Sequence, residues 1–291
     1  MSGFVQIFNA ISRMAGRVFM VGATVICTGT SGLAEAPKRV VSMNLCTDLL
    51  AMMLADEGQL LSVSAIALDE NVSSMAQRAR SLQINNGQAE DVFLMQPDLV
   101  LAGIYTPPTT LNMLKTLGIR VEVFDIETSL DGVRDQVKKM GAALHREKAA
   151  NALIADFDAR RAALKAEVGR RPSALLYHPS GYTSGIGSLS HEILELAGFR
   201  NAADEAGYTE GTRMPLEVLA LTDPDLVITS MPYPGGSRAE DVMRHPVVQA
   251  LKDSRVATAN TNHDWVCDTP FVIRAAEQLA TVRRAIIGES Q

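Results

Sequence analysis

The sequence predicts an α/β protein of two related, Rossmann-like lobes with parallel-rich sheets, joined by a long rigid α-helix. Three observations predict this. First, two distant stretches read almost alike: Glu90-Asp91-Val92-Phe93-Leu94-Met95-Gln96-Pro97-Asp98-Leu99-Val100-Leu101 and Glu217-Val218-Leu219-Ala220-Leu221-Thr222-Asp223-Pro224-Asp225-Leu226-Val227-Ile228. In each, a glutamate opens a short apolar run, and Pro-Asp then breaks the helix ahead of an apolar strand. Leu99-Val100-Leu101 and Leu226-Val227-Ile228 lack polar alternation, which suits parallel strands covered on both faces. Second, strand and helix patterns alternate on both sides of the chain's middle. Third, residues 129–169 show no strand signal.

Taken in order, Arg39 to Ser42 reads as a first strand and Thr47 to Leu54 as a helix, with Leu49, Leu50, Met53 and Leu54 at helical spacing. Leu60 to Ser64 is a second strand. After the first repeat copy, Pro107 to Leu117 is a helix ending at Gly118, and Arg120 to Phe124 a strand. Ser129 and Asp131 can cap a helix through Leu144. A second helix from Glu147 to Val168 carries Ala149, Leu153, Phe157 and Leu164 as its buried stripe. It spans about 33 Å, the diameter of a small domain, and has none of the Gly, Ser or Pro runs of a flexible linker. Beyond Arg170-Arg171-Pro172, Ala174 to Tyr177 is a strand and Leu189 to Ala197 a helix. After the second copy, Pro246 to Leu251 is a helix, Arg255 to Ala259 a strand, and Thr269-Pro270 starts a last helix to Ile287. The expected divisions are a signal segment over 1–36, an N-terminal lobe over 37–145, the linking helix over 146–169 and a C-terminal lobe over 170–291.

The chain has 291 residues, 47% apolar and 21% charged, with net charge −6, which disfavours a nucleic-acid partner. Arg13 and Arg17 precede the apolar run Val18 to Cys27, and Ala34-Glu35-Ala36 supplies an A-x-A cleavage site. The expectation is export to the periplasm with a cut after Ala36 and no membrane insertion afterwards; the run is short for a transmembrane helix. Ile26 before Cys27 speaks against lipid attachment. Removing the segment takes away two arginines and Glu35, leaving a slightly more acidic chain in an oxidising compartment.

Reactive constellations are scarce. Gly185-Ile186-Gly187-Ser188-Leu189-Ser190 resembles a dinucleotide turn but has serine for its third glycine and no acidic ribose partner at the right distance. His145, His178, His191, His245 and His263 form no metal-ligand spacing. Ser42, Ser180, Ser184 and Ser188 lie in no nucleophile elbow. Loops after strands are more telling, because open α/β sheets bind ligands beyond the carboxyl ends of their strands. Four of five tyrosines, Tyr105, Tyr182, Tyr208 and Tyr233, fall in or near such loops, as does the only tryptophan, Trp265. They suit a cleft for a large, partly apolar ligand.

Five marks then occur in order: Arg39-Val40-Val41-Ser42 with Thr47-Asp48; Asn86-Gly87 to Glu90 with Pro97-Asp98-Leu99-Val100; Thr183-Ser184-Gly185 with Glu192-Ile193-Leu194; Glu217 with Pro224-Asp225-Leu226-Val227; and Asp264-Trp265. With these the chain, over residues 38 to 287, resembles the periplasmic substrate-binding proteins of ABC importers for metal chelates, the family of vitamin B12-binding and ferric-siderophore-binding proteins. The resemblance implies a non-catalytic protein with a ligand cleft between two lobes that close little. It implies no resident cofactor, the metal chelate being the transported ligand. It implies docking onto an inner-membrane permease through Glu90 and Glu217.

Trp265 matches a ligand-lining position of the B12-binding members and Tyr182 falls near another. Cys46, Thr47, Tyr105, Met214, Tyr233 and Cys267 complete the expected ligand-binding set. Asn85 or Asn86, Gly103 and Met214 stand where bulkier rings are expected, so the cleft is expected to be wider or more polar. Arg213 and Arg238 are candidates for an anionic siderophore, and Tyr105, Tyr182, Tyr233 or His263 for a haem axial ligand. Free-metal binding and a small-substrate enzyme are the alternatives. Cys46 and Cys267 both follow strands and face the cleft from opposite sides. Three readings stand for them: a lobe-to-lobe disulfide, soft donors to the ligand, or two small buried residues.

Overall fold

The computed structural model of the chain describes residues 35–166, 169–232, 235–253 and 259–288. The expected signal segment thus lies outside the described residues as far as residue 34, and Tyr233 and residues 254–258 lie outside them too. No helix among the described residues is long and apolar enough to cross a membrane.

In the first lobe the elements are β1 (Val40–Ser42), α1 (Leu45–Leu54), β2 (Leu60–Ser64), α2 (Ala76–Ala79), β3 (Gln83–Asn85), α3 (Ala89–Leu94), β4 (Leu99–Gly103), α4 (Pro108–Thr116) and β5 (Val121–Phe124). Its five strands are parallel in the order β3-β2-β1-β4-β5. Helices α5 (Leu130–Leu144) and α6 (Glu147–Ala166) follow. The second lobe comprises β6 (Ser173–Tyr177), β7 (Tyr182–Thr183), α7 (Leu189–Leu196), β8 (Arg200–Asn201), α8 (Ala202–Glu205), β9 (Thr212–Arg213), α9 (Leu216–Thr222), β10 (Leu226–Ser230), α10 (Pro246–Asp253), β11 (Ala259–Thr261) and α11 (Val272–Ile287). Its main sheet is parallel, ordered β11-β10-β6-β8, with β7 and β9 as a small antiparallel pair.

The repeat is structural as well as textual. α3 and α9 each precede a central strand, β4 and β10. Each ends at a non-glycine residue in left-handed backbone, Gln96 (φ 49) and Asp223 (φ 40). Each following aspartate then reaches sideways to the first strand of its own lobe. Asp98 accepts hydrogen bonds from the N–H groups of Lys38 and Arg39, at 2.7 and 3.0 Å. Asp225 accepts from the Ser173 N–H and hydroxyl, at 2.8 and 3.0 Å. Charge-assisted bonds to otherwise unpaired strand N–H groups hold β4 in register beside β1 and β10 beside β6.

Several boundaries differ from expectation. α1 starts at Leu45, because the Asn44 side chain accepts from the Cys46 N–H at 3.0 Å and caps it. α11 starts at Val272 rather than Pro270, since Thr269 and Pro270 carbonyls accept three-residue turn bonds that precede the regular helix. The last strand lies at Ala259–Thr261, beyond the expected Arg255 to Ala259. The unforeseen β3, β7, β8, β9, α2 and α8 have two to four residues each, too few for periodicity to show.

α5 and α6 serve both lobes. Leu130 and Val133 of α5 and Phe157 and Leu164 of α6 pack in the second lobe's core. Val137, Met140, Ala143 and Leu144 of α5 and Ala150 of α6 pack in the first. Arg160 of α6 grips Glu277 of α11 through two bonds of 2.8 and 2.6 Å. At 1.5 Å per residue α6 is about 30 Å long.

Between the sheets' carboxyl ends, Cys46 of α1 and Cys267, which follows the last strand, form a disulfide with Cα atoms 5.3 Å apart. This settles the three readings of the pair: neither is a free thiolate. By closing a loop of 221 residues, the bond is worth up to about 5 kcal/mol in the chain-entropy account. Protein denatured without reductant should therefore titrate no thiol from Cys46 or Cys267, and Cys46→Ser should lower the unfolding midpoint in urea. Two thiols, or an unchanged midpoint, would refute the cross-link's role.

A polar network lies under the first lobe's carboxyl-end loops. Asn85 donates to the Ser42 carbonyl at 2.8 Å and to the Ser62 hydroxyl at 2.9 Å, and the Ser42 and Thr47 hydroxyls are 2.8 Å apart. Asp48, fully buried, accepts from the Ser64 N–H and hydroxyl through Oδ2, while its Oδ1 has no partner among the described residues. Burial pushes the Asp48 carboxyl up to about 6, and hydrogen bonds from Ser42 and Ser64 offset this only in part. A carboxyl that holds its proton more tightly when folded contributes most below its unfolded value. The contribution fades as pH rises from about 4 to about 6, a loss of about 3 kcal/mol. Asp48→Asn should abolish that component: its stability relative to the parent should rise between pH 4 and pH 7 in urea titrations. A constant difference across that range would contradict it.

Candidate functional site

In the first sheet the strand order reverses direction between β1 and β4, and in the second between β6 and β10. These are the points where open α/β sheets receive ligands. The loop after β1 carries Asn44 and leads to Cys46, and the loop after β4 carries Ile104 and Tyr105. Asn44 lies so close over β4 that a Cβ on Gly103 would come within 2.9 Å of its Cγ. Gly103 is therefore the residue that admits the cap of α1, and a ring there would displace it.

Two adjoining hollows flank the disulfide and share Cys46, Ile126 and Asp268. One, about 210 Å³, is lined by Asn44, Thr47, Leu50, Gly103 to Tyr105, Phe124, Asp125 and Gln136 of the first lobe. The other, about 200 Å³, is lined by Glu127 and Thr128 on one side and by Ser184, Ser188 to Ser190, Glu210 and Trp265 to Cys267 on the other. The disulfide is thus the floor of an interlobe cleft. Asp268 beside it accepts from the Glu127 N–H at 2.8 Å and from Gln136 at 3.3 Å. Burial raises the Asp268 pKa, against those hydrogen bonds. A second tie between the lobes runs from the Ser74 hydroxyl to the Asp264 carboxylate at 2.9 Å, with Arg274 on the same oxygen.

The cleft's rim is apolar. Ile104, Tyr105, Ile126 and Val266 are 50, 82, 54 and 48% exposed. Its charges are acidic: Asp125, Glu127, Glu210 and Asp268 line the two hollows, and neither contains a lysine or arginine among the described residues. Arg213 stacks on the Tyr182 ring 4.8 Å from its centre, on the β7–β9 pair.

The expected ligand-binding residues separate into groups. Cys46, Tyr105, Trp265 and Cys267 line the hollows, the cysteines as a disulfide. Thr47 also lines the first hollow, although it is only 1% exposed and its hydroxyl donates to the Asn44 carbonyl at 2.9 Å. Tyr182 stands exposed with Arg213 but outside both hollows. Met214 departs from expectation: at 2% exposure its side chain packs in the core with Tyr177 and Leu219, and its carbonyl takes the Tyr177 hydroxyl at 3.1 Å. Asn85 likewise belongs to the buried network, not to the cleft wall. Tyr233 lies outside the described residues. Glu90 and Glu217 are exposed, in the first turns of α3 and α9.

Residues 125–128, Glu210 and Asp268 were missed by sequence reasoning. The first run connects β5 to α5 without a motif, and only Asp268's place beside Cys267 could have flagged it. The glycine-rich turn has a structural purpose: a Cβ on Gly185 would meet the Tyr208 carbonyl oxygen at 1.7 Å, so glycine lets the chain after Tyr208 pack against it. A larger hollow of about 650 Å³ beside α6 and α7 has most of its charged side chains engaged within the protein. Arg161 pairs with Asp131 at 2.6 Å, Arg171 with Glu195 at 3.2 Å, and Glu192 accepts from the Leu130 N–H at 2.6 Å. No group of three or more His, Cys, Asp or Glu side chains placed to hold a metal ion occurs among the described residues.

Known proteins share this fold. A cobalamin-binding protein of Halobacterium salinarum is 29% identical over 241 residues, which is 79% of this chain and 65% of that protein. The chain thus spans just under two thirds of that relative's length. Among solved structures, the apo periplasmic heme-binding protein RhuT from Roseiflexus sp. RS-1 superposes with a TM-score of 0.68 at 19% identity, covering 87% of this chain and 99% of that one. The periplasmic vitamin B12-binding protein BtuF of Vibrio cholerae does so with a TM-score of 0.63 at 19% identity, covering 88% and 99%. These likenesses show a shared fold. Residues 40–261 match the periplasmic binding protein family, and the chain belongs to that family.

Proposed function

We propose that this chain is a non-catalytic periplasmic solute-binding protein that captures a metal chelate and delivers it to an inner-membrane ABC importer. The observation that carries the reading is the interlobe cleft, with an apolar rim at the strand ends and a floor cross-linked between the lobes. An apolar rim over an acidic floor suits a large ligand that is neutral or cationic, such as a corrinoid or a positively charged ferric hydroxamate. It repels anionic catecholate chelates and the carboxylates of haem. The name of the Halobacterium relative supports the corrinoid. The free-metal alternative has less support, since metal capture needs converging donors. Glu90 and Glu217 are the docking points on the permease, one per lobe, each exposed and without an ion-pair partner among the described residues.

Trp265, the only tryptophan, reports binding. A neutral corrinoid should quench its fluorescence saturably, and an anionic ferric catecholate should not. Trp265→Ala should weaken corrinoid binding about 5- to 150-fold, the 1–3 kcal/mol of a contact aromatic. Absence of binding by every neutral and cationic chelate tried would sink the proposal. Reversing both docking charges, Glu90→Arg with Glu217→Arg, should abolish uptake by cells while leaving chelate affinity unchanged; a parallel loss of affinity would remove the glutamates from the docking role.

A further inference from the structure

Leu94 and Leu221 are 78% and 84% exposed, the most exposed leucines among the described residues. They occupy the same place in the two copies of the repeat. Each lies four residues after its lobe's exposed glutamate and two before its left-handed residue, Gln96 or Asp223. Around them Val92 and Leu219 are both fully buried, and Pro97 and Pro224 are buried too. Residues four apart on a helix share a face. Each lobe therefore presents one carboxylate and one bare leucine side by side. Leaving a leucine in water is unremarkable once. Finding it at the equivalent position of both lobes, beside a carboxylate without an ion-pair partner among the described residues, points to a use.

We infer that Leu94 and Leu221 are the apolar half of a two-point docking surface. Its occupant is the permease of the proposed importer, which presents two equivalent sites, each a basic group beside an apolar pocket. The inference rests on the docking reading of Glu90 and Glu217 and adds the contact that salt does not screen. Charge selects the occupant. A second copy of this chain would bring glutamate against glutamate, and an anionic lipid surface would repel both carboxylates. A basic protein face that repeats twice satisfies both lobes at once. The carboxylates steer the encounter, and burial of the leucines slows release.

The test uses the mature chain with its disulfide intact and right-side-out vesicles of the cell's own inner membrane. A photo-crosslinking side chain placed at 94 or at 221 should join an ABC permease subunit, identified by mass spectrometry, from both positions. Leu94→Gln and Leu221→Gln should each weaken vesicle binding about tenfold, with the salt dependence unchanged, while Leu94→Met and Leu221→Met restore it. Both positions are exposed, so folding is spared, and an unchanged urea midpoint checks this. Glu90→Gln with Glu217→Gln should instead flatten the salt dependence. Leucine variants that bind like the parent while the glutamate variants fail would overturn this inference alone. If neither set has any effect, the docking reading falls with it. Cross-links to lipid or to a second copy of this chain would likewise overturn the inference.

Discussion

Two helices shared between two apolar cores are the constraint on which the rest of this structure depends. Leu130 and Val133 are buried with the second sheet, and about one to three turns beyond Val133 Val137, Met140 and Leu144 are buried with the first. α6 runs back alongside, placing Ala150 in one core and Phe157 and Leu164 in the other. Rotating one lobe against the other would pull these side chains out of one core or the other. Each full exposure costs about 1.5–3 kcal/mol. The relative position of the sheets is therefore set by burial rather than left to a hinge. The Arg160–Glu277 pair ties α6 to α11, and the disulfide adds a covalent tie between the lobes.

With the lobes so held, the cleft lies between two cores that share their packing helices. Its floor is covalent, and its rim comes from loops that follow parallel strands. The same geometry explains why the buried polar atoms collect where they do. Beneath the cleft Asp48 accepts from the Ser64 N–H, and Asn85 donates to the Ser42 carbonyl and the Ser62 hydroxyl. The exception is one Asp48 oxygen, which has no partner among the described residues, and burial accounts for that carboxyl's hold on its proton. Above this layer the cleft keeps its carboxylates and lacks basic side chains among its described lining.

The duplicated half-lobe unit works as a positioning device. Asp98 and Asp225 clamp the central strand of each sheet to its first strand. The exposed face of each helix is then presented alike in both lobes, and the glutamate and leucine on it form a matched pair of features on one rigid body. A partner with a single site would use half of what is displayed.

Local pattern was enough for the sequence by itself to determine the two-lobed α/β class, the long linking helix, the repeat and the exposed placement of Glu90 and Glu217. Helical period, Pro-Asp breaks and unbroken apolar strands act within a dozen residues, where side-chain spacing and backbone sterics decide. The short elements β3, β7 and β9 were illegible because two or three residues carry no period. Met214, and Asn85 or Asn86, were read as cleft-wall positions, yet Met214 and Asn85 are buried, because burial depends on what packs over a residue and not on its neighbours in the chain. Only the tertiary structure decided that Cys46 and Cys267 meet, that Asp268 and the 125–128 segment line the cleft, and that Leu94 and Leu221 stand in water. Those outcomes depend on contacts between residues up to 221 positions apart. Such contacts exist only once the two cores have been brought to the shared helices.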